Sequence, residues 1–153
     1  MTIDESPTRQ QVAEAVSAGM YALDNVSRGL GIDIVEVRPH YTRMRMTVRD
    51  DMLNAHAICH GGVIFTLADS AFAYACNSEN ASSLATRCAV DFISAARLGE
   101  ELIAVAEEKV RQSRMGVYDV TVTAQDGRVV AVFRGNSYRV KGETIPGAGG
   151  NTG

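Results

Sequence analysis

GGVIFTLADSAFAYACN, residues 61–77, is apolar on almost every face of the helix its composition describes, with Asp69 the one charge inside it. The stretch is too short for a membrane span, so it must be covered on all sides within a globule. What surrounds it decides the fold. Upstream, Asp50, Asp51 and Asn54 mark a loop, and before that IDIVEVRP (32–39) and YTRMRMTV (41–48) alternate as two strands with a turn near Pro39 and His40. Residues 8–30 place Val12, Val16, Met20, Ala22, Leu23 and Val26 close to helical spacing and end near Gly29 and Gly31, which predicts one amphipathic N-terminal helix.

Downstream come four β-rich runs: LATRCAVDFI (84–93), ELIAVAEEKV (101–110), GVYDVTVTA (116–124) and VVAVFRGNSYRV (129–140). Asp126-Gly127 between the last two is a tight-hairpin signal. The order is helix, two strands, buried helix, four strands. An antiparallel sheet wrapped around one long central helix, an α+β roll with an extra N-terminal helix, satisfies that burial pattern. Residues 8–140 are expected to form a single domain, and the Gly-rich segment 141–153 a disordered tail.

Composition narrows the function. The chain has 153 residues, a net charge of -3 and a sequence pI near 5.6, with its cations scattered among acids. Nucleic acid is therefore not an expected partner, because phosphate binding needs a concentrated positive field. The polar start MTIDESPTRQ has no signal-like apolar region, so neither secretion nor membrane insertion is expected. Three cysteines, Cys59, Cys76 and Cys88, are too few for a disulfide framework, and reduced thiols in a cytoplasm are the simplest reading.

Asp69 is the foremost chemical candidate. A carboxylate in the driest helix is costly unless it is paired, hydrogen-bonded or held neutral, which makes it either functional or a structural cap or partner of a cation such as Arg87. His60-Gly61-Gly62 opens the same helix, where free N–H groups form a partial positive site and glycine lets an oxygen approach closely. Such a turn can hold an oxyanion or be a plain glycine turn. The His56–His60 segment is short of ligands for a metal, since His40 is the only other histidine, and no metal is expected. There is no G-x-S-x-G elbow, and Cys59 beside His60 reads as a small buried thiol.

MLN (52–54) followed by HAICHGGVIFTLADSAFAYACNS (56–78) resembles the PaaI-type, phenylacetate-pathway acyl-CoA thioesterases of the hotdog superfamily. LGEEL (98–102), GVYDV (116–120) and VAVFRGNSYRV (130–140) extend the likeness to about residues 20–140. The resemblance implies a hotdog subunit that dimerises through its sheet, or assembles as a dimer of dimers, and hydrolyses aryl- or acyl-CoA thioesters without metal or other cofactor. It implies Asp69 as base or nucleophile, Gly61 as oxyanion donor, Asn54 as a positioning group, His60 as support of the carbonyl-binding turn and Ser70 behind Asp69. Gly62, Thr86, Arg87, Arg114 and Gly116 are the expected substrate contacts. The chain departs from relatives that carry a serine at the start of the following strand: Ala85, flanked by Thr86, stands there.

Spacing adds a constraint of its own. Eight residues of helix separate Gly61 from Asp69 by about 12 Å, too far for both to serve one carbonyl. A site shared between two subunits removes the conflict. A hotdog dehydratase or hydratase and a non-catalytic acyl-CoA binder are the competing expectations.

Overall fold

A computed structural model describes residues 5–150. Helix α1 (Arg9–Leu23) begins at a capping box in which the Thr8 hydroxyl accepts from the Gln11 N–H and the Gln11 side chain accepts from the Thr8 N–H. The single helix expected over 8–30 is two: α2 (Asn25–Gly29) follows after a break at Asp24. The Asp24 carboxylate accepts from the Ser27 N–H and hydroxyl and from the Tyr74 hydroxyl at 3.1 Å. The break is the N-cap of α2, an alternative backbone arrangement that Asp favours over continuing a helix.

Strands β1 (Asp33–Arg38) and β2 (Tyr41–Thr47) precede a 3-10 turn at Asp50–Met52 and the central helix α3 (Gly61–Cys76). Strands β3 (Ala81–Phe92), β4 (Glu101–Gln112), β5 (Met115–Ala124) and β6 (Val129–Glu143) complete one six-stranded sheet in the order β1-β2-β4-β5-β6-β3, antiparallel throughout. β3 starts three residues before the expected 84. Gly127, at φ 86°, makes the expected β5–β6 turn.

The inner face of the sheet is lined by buried Met44, Met46, Leu102, Ala104, Ala106, Tyr118, Val120, Val122 and Phe133. Against it α3 sets Leu67, Ala68, Ala71, Phe72 and Ala75, all buried. Alanines on both sides let helix and sheet approach closely. The Phe72 ring fits because Gly135 lies beneath it: a Cβ there would come within 2.9 Å of that ring. Phe72 also meets Tyr118 edge to face at 5.5 Å between centroids.

Two expectations are corrected. α3 is not covered on all sides, since Gly62 is exposed and Thr66, Asp69 and Ala73 are only half-buried, a stripe at helical spacing left open by one chain. The segment from 141 is not a disordered tail over its described part. β6 runs to Glu143, and the Asn80 side chain bonds Ile145 and the Gly149 carbonyl while Ile145 packs on Gly19. The last residues of that segment, 151–153, lie outside the described residues. Among those described, no helix is long and apolar enough to cross a membrane.

The C-terminal end of α3 is pinned by charge. Glu79 sits 3.0 Å from His40 Nε2 and accepts from Arg9, Arg111 and Arg139, at 2.6, 3.2 and 2.6 Å. His40 Nδ1 in turn lies 3.1 Å from Glu108. The His40 contact, with Arg9 and Arg111 behind it, holds the Glu79 carboxyl down at about 2, against an ordinary 4.5. A carboxyl depressed in the folded state stabilises the fold above its unfolded value, and that contribution is lost as pH falls through the folded one. Glu79→Gln should therefore lower the urea midpoint at pH 7, with the gap to the parent closing between pH 4.5 and 2. A gap constant with pH would refute this role.

Candidate active site

The loop before α3 is built around Asn54. Its N–H donates to the Ile58 carbonyl at 2.8 Å, and its side-chain oxygen accepts from the His56 N–H at 2.9 Å. His60 then donates its N–H to the Met52 carbonyl at 2.8 Å, which fixes the angle at which the chain enters α3. The His60 ring is the N-cap: Nδ1 accepts from the Gly62 N–H at 2.9 Å. Val63 N–H is taken by the His60 carbonyl. Among the described residues, the Gly61 N–H at the helix start has no acceptor in the chain.

That free donor opens beside a cleft of about 340 Å³ walled by Asn54, Ile58, Ile64, Phe92 and Ile93. Phe92, 53% exposed, lies over Gly61 so closely that a Cβ on Gly61 would come within 3.0 Å of its Cζ. A side chain here would have to displace that ring by a few tenths of an ångström. The cleft offers apolar walls and one N–H at the positive end of a helix, which suits the carbonyl oxygen of an uncharged acyl group.

Asp69 lies two turns along, on the half-open stripe. Burial raises its carboxyl above the ordinary range, and the Cys88 thiol, with Sγ 3.8 Å from Oδ1, opposes the rise. Among the described residues no cation pairs with it, so the structural reading through Arg87 fails. A half-buried, unpaired carboxylate at the rim of a core is suited to take a proton from water or to attack an acyl carbon. Since α3 runs unbroken from Gly61 to Cys76, the separation of about 12 Å between Gly61 and Asp69 along the axis stands.

The other expected contacts scatter. The Ser70 hydroxyl is 3.2 Å from that of Ser27 and ties α3 to α2. A bulge in β3 sets Thr86 and Arg87 against one partner, Asn136, and the Thr86 hydroxyl donates to the Asn136 carbonyl at 3.2 Å. Both residues are exposed and lie on the strand positions opposite those that face α3. Gly116 is buried, with its backbone in the ladder to Arg111 and Ser137, and a Cβ there would meet the Ser137 hydroxyl at 2.7 Å. Glycine is thus explained here by packing within the ladder. Arg114 lies at the β4–β5 turn in a cleft shared with Arg139 and Lys141. Gly62 keeps its N–H for the His60 cap.

Other chemistry recedes. The Cys59 thiol is buried and pushed up to about 11, the opposite of an activated nucleophile. Among the described residues, no three His, Cys, Asp or Glu side chains are grouped to hold a metal. Sequence reasoning missed Phe92 and Cys88. Each sits on β3, whose bulge makes simple alternation unreadable from residue types.

The thioesterase superfamily family model matches residues 56–131. The chain is 43% identical over 128 residues to acyl-coenzyme A thioesterase PaaI of Escherichia coli (strain K12), covering 84% of this chain and 91% of that protein. The solved structure of the E. coli PaaI protein from the phenylacetic acid degradation operon superposes with a TM-score of 0.87 at 39% identity, covering 89% of this chain and 99% of that one. A Streptococcus mutans protein solved bound to acetyl CoA superposes with a TM-score of 0.70 at 25% identity, over 73% of this chain and 90% of that one.

The geometry gives His60 a testable structural task. His60→Ala should cost about 1 kcal/mol of stability through loss of the cap, and His60→Asn should recover most of it. Equal denaturation midpoints for the parent and the Ala variant would show that the ring does not cap α3.

Proposed function

The chain belongs to the thioesterase superfamily, as a PaaI-type member with the hotdog fold, and on that premise we propose that it hydrolyses acyl-CoA thioesters at a site shared by two subunits. The observation that carries this reading is Asp69, a carboxylate without a cationic partner among the described residues, two helical turns from a free N–H at the start of the same helix. The thioester carbonyl accepts from the Gly61 N–H of one subunit, with the dipole of α3 behind it. Asp69 of the other subunit takes a proton from water, or attacks the acyl carbon itself. The thioester C–S bond breaks and coenzyme A leaves as the thiol or thiolate; water adds to the acyl carbon in the first route, and in the second it cleaves the Asp69 anhydride that direct attack forms, releasing the acid and restoring the carboxylate. No step uses a metal or a separate cofactor.

Two features support a second subunit. β3 is a sheet edge twelve residues long with most of its length exposed, an unpaired ladder that soluble proteins rarely leave open. The half-open stripe Gly62, Thr66, Asp69 and Ala73 lies on the helix that β3 borders. Pairing β3 with its copy across a two-fold axis would close the edge and cover the stripe. The apolar cleft with its exposed aromatic wall supports flat aryl acyl groups, of phenylacetyl or hydroxyphenylacetyl type, as substrates. The cationic turn at Arg114, Arg139 and Lys141 supports a place for coenzyme A phosphates.

Thiol release from phenylacetyl-CoA, measured with a chromogenic disulfide, tests the activity. Asp69→Asn should reduce turnover by about 10²–10⁴-fold with fold and assembly intact. Near-parental turnover would end the assignment, and loss of water from a hydroxyacyl-CoA without thiol release would make the enzyme a dehydratase.

Mixing tests the sharing. Asp69→Asn and Asn54→Ala chains, each impaired alone, should regain about a quarter of parental activity when unfolded and refolded together, because a mixed dimer carries one intact site. No recovery, with mixed dimers present, would place the site within one chain.

A further inference from the structure

We propose that Cys88 is a positioning residue for Asp69, its thiol holding one carboxylate oxygen so that the other faces the reaction. The inference rests on the assignment of Asp69 above and concerns a residue which that assignment does not use.

The geometry begins with the β3 bulge. Ala85 pairs with Ser137, Thr86 and Arg87 share Asn136, and Cys88 pairs with Gly135. Residues directly opposite each other share a face, and Gly135 lies on the face that receives Phe72 of α3. Cys88 therefore points at α3, where its Sγ lies 3.8 Å from Asp69 Oδ1. Of the side chains on this part of β3, Ala85 has no donor and Thr86 has spent its hydroxyl on the Asn136 carbonyl. Among the described residues, the thiol is the one side-chain donor that reaches Asp69.

A thiol suits this place for two reasons. Burial and the neighbouring Asp69 push Cys88 up to about 11, so at neutral pH it keeps its proton and meets the carboxylate as a donor. It is also a weaker donor than a hydroxyl, so it orients the carboxylate while leaving it more basic than a serine would. The other ionisable groups on the surrounding elements do not compete. Cys76 on α3 is buried and also pushed up, and Glu108 on β4 and Tyr118 on β5 are tied to each other and to His40 at the far end of the helix. β2 and β6 present Met44, Met46, Phe133 and Gly135.

The test is the pH dependence of kcat/KM for phenylacetyl-CoA in the parent, Cys88→Ala and Cys88→Ser, with Asp69→Asn as control. Loss of the donor should move the acid limb to higher pH in the Ala variant, and the stronger hydroxyl should move it to lower pH in the Ser variant. Turnover of the Ala variant on the plateau should fall by about 3–10-fold, the worth of one hydrogen bond, with KM unchanged. Titration of the Asp69 carboxyl carbon by NMR should show the same opposed displacements without reference to turnover.

A purely structural cysteine would leave both limbs in place or move them the same way, and either result overturns the inference. If Asp69→Asn is inactive while the Cys88 variants keep the parental limb, this inference alone falls. If Asp69→Asn keeps parental turnover, the assignment of Asp69 falls first, whatever the Cys88 variants show.

Discussion

The close seating of α3 on the sheet requires small residues on both surfaces. Ala68, Ala71 and Ala75 of the helix and Ala104 and Ala106 of β4 are all fully buried where α3 packs on β4, and Gly135 of β6 gives up its side chain to the Phe72 ring. Any larger group would force a helix with few polar escapes away from the strands and open a void, at a cost of about 1–3 kcal/mol for each overpacked position. The seating also dictates what is left uncovered. A sheet can wrap one side of a helix but not its full circumference, so one stripe stays open, and Asp69 stands on it. Had Asp69 been placed a quarter turn away, at Ala68, it would be fully buried and forced neutral. On the stripe it is half-buried, which raises its proton affinity without removing its access to water.

The two ends of α3 carry opposite electrostatic tasks, and the same backbone physics governs both. At the N-terminus His60 caps one N–H and leaves the one beside it free, next to a cleft with no charged wall. At the C-terminal end, Asn77 and Ser78 turn the chain within hydrogen bonds to Ala73 and Ala75, and Glu79 gathers three arginines and His40. Charge is thus concentrated about one helix length from the apolar cleft. Five separate segments meet at Glu79, so the knot anchors α1, the β1–β2 turn, α3, β4 and β6 together.

Much of this was legible in the residues because long, strongly patterned segments have one way to be satisfied. The apolar run at 61–77, the alternation at 101–110 and the Asp126-Gly127 turn each led to the right element, and His60-Gly61-Gly62 to a helix start. What was not legible depended on contacts distant in sequence. Asp24 breaks a helical pattern because Tyr74, fifty residues on, is there to meet it. The Gly-rich end looked too polar to fold, yet Asn80 supplies the hydrogen bonds that it lacks. The single extra residue at the β3 bulge reverses which side chains face inward. Thr86 and Arg87 are thereby turned away from Asp69, and Cys88, read only as one of three reduced cysteines, is turned toward it.

The distance between Gly61 and Asp69 then bears on why the catalytic assignment and the assembly belong together. Closing about 12 Å within one chain would require unwinding two turns of α3, exposing its backbone groups inside the core it supports. Under the proposed function, two chains related by a two-fold axis would meet the same demand with no distortion, if the axis sets the start of one helix beside the middle of the other. It would also supply strand partners to the β3 edge, which in the single chain presents Leu84 at 60% exposure and a long row of free backbone groups. The open stripe, the open edge and the divided catalytic groups are three deficits of the single chain. The proposed symmetric contact would remove all three, whereas any account confined to one chain must explain each separately.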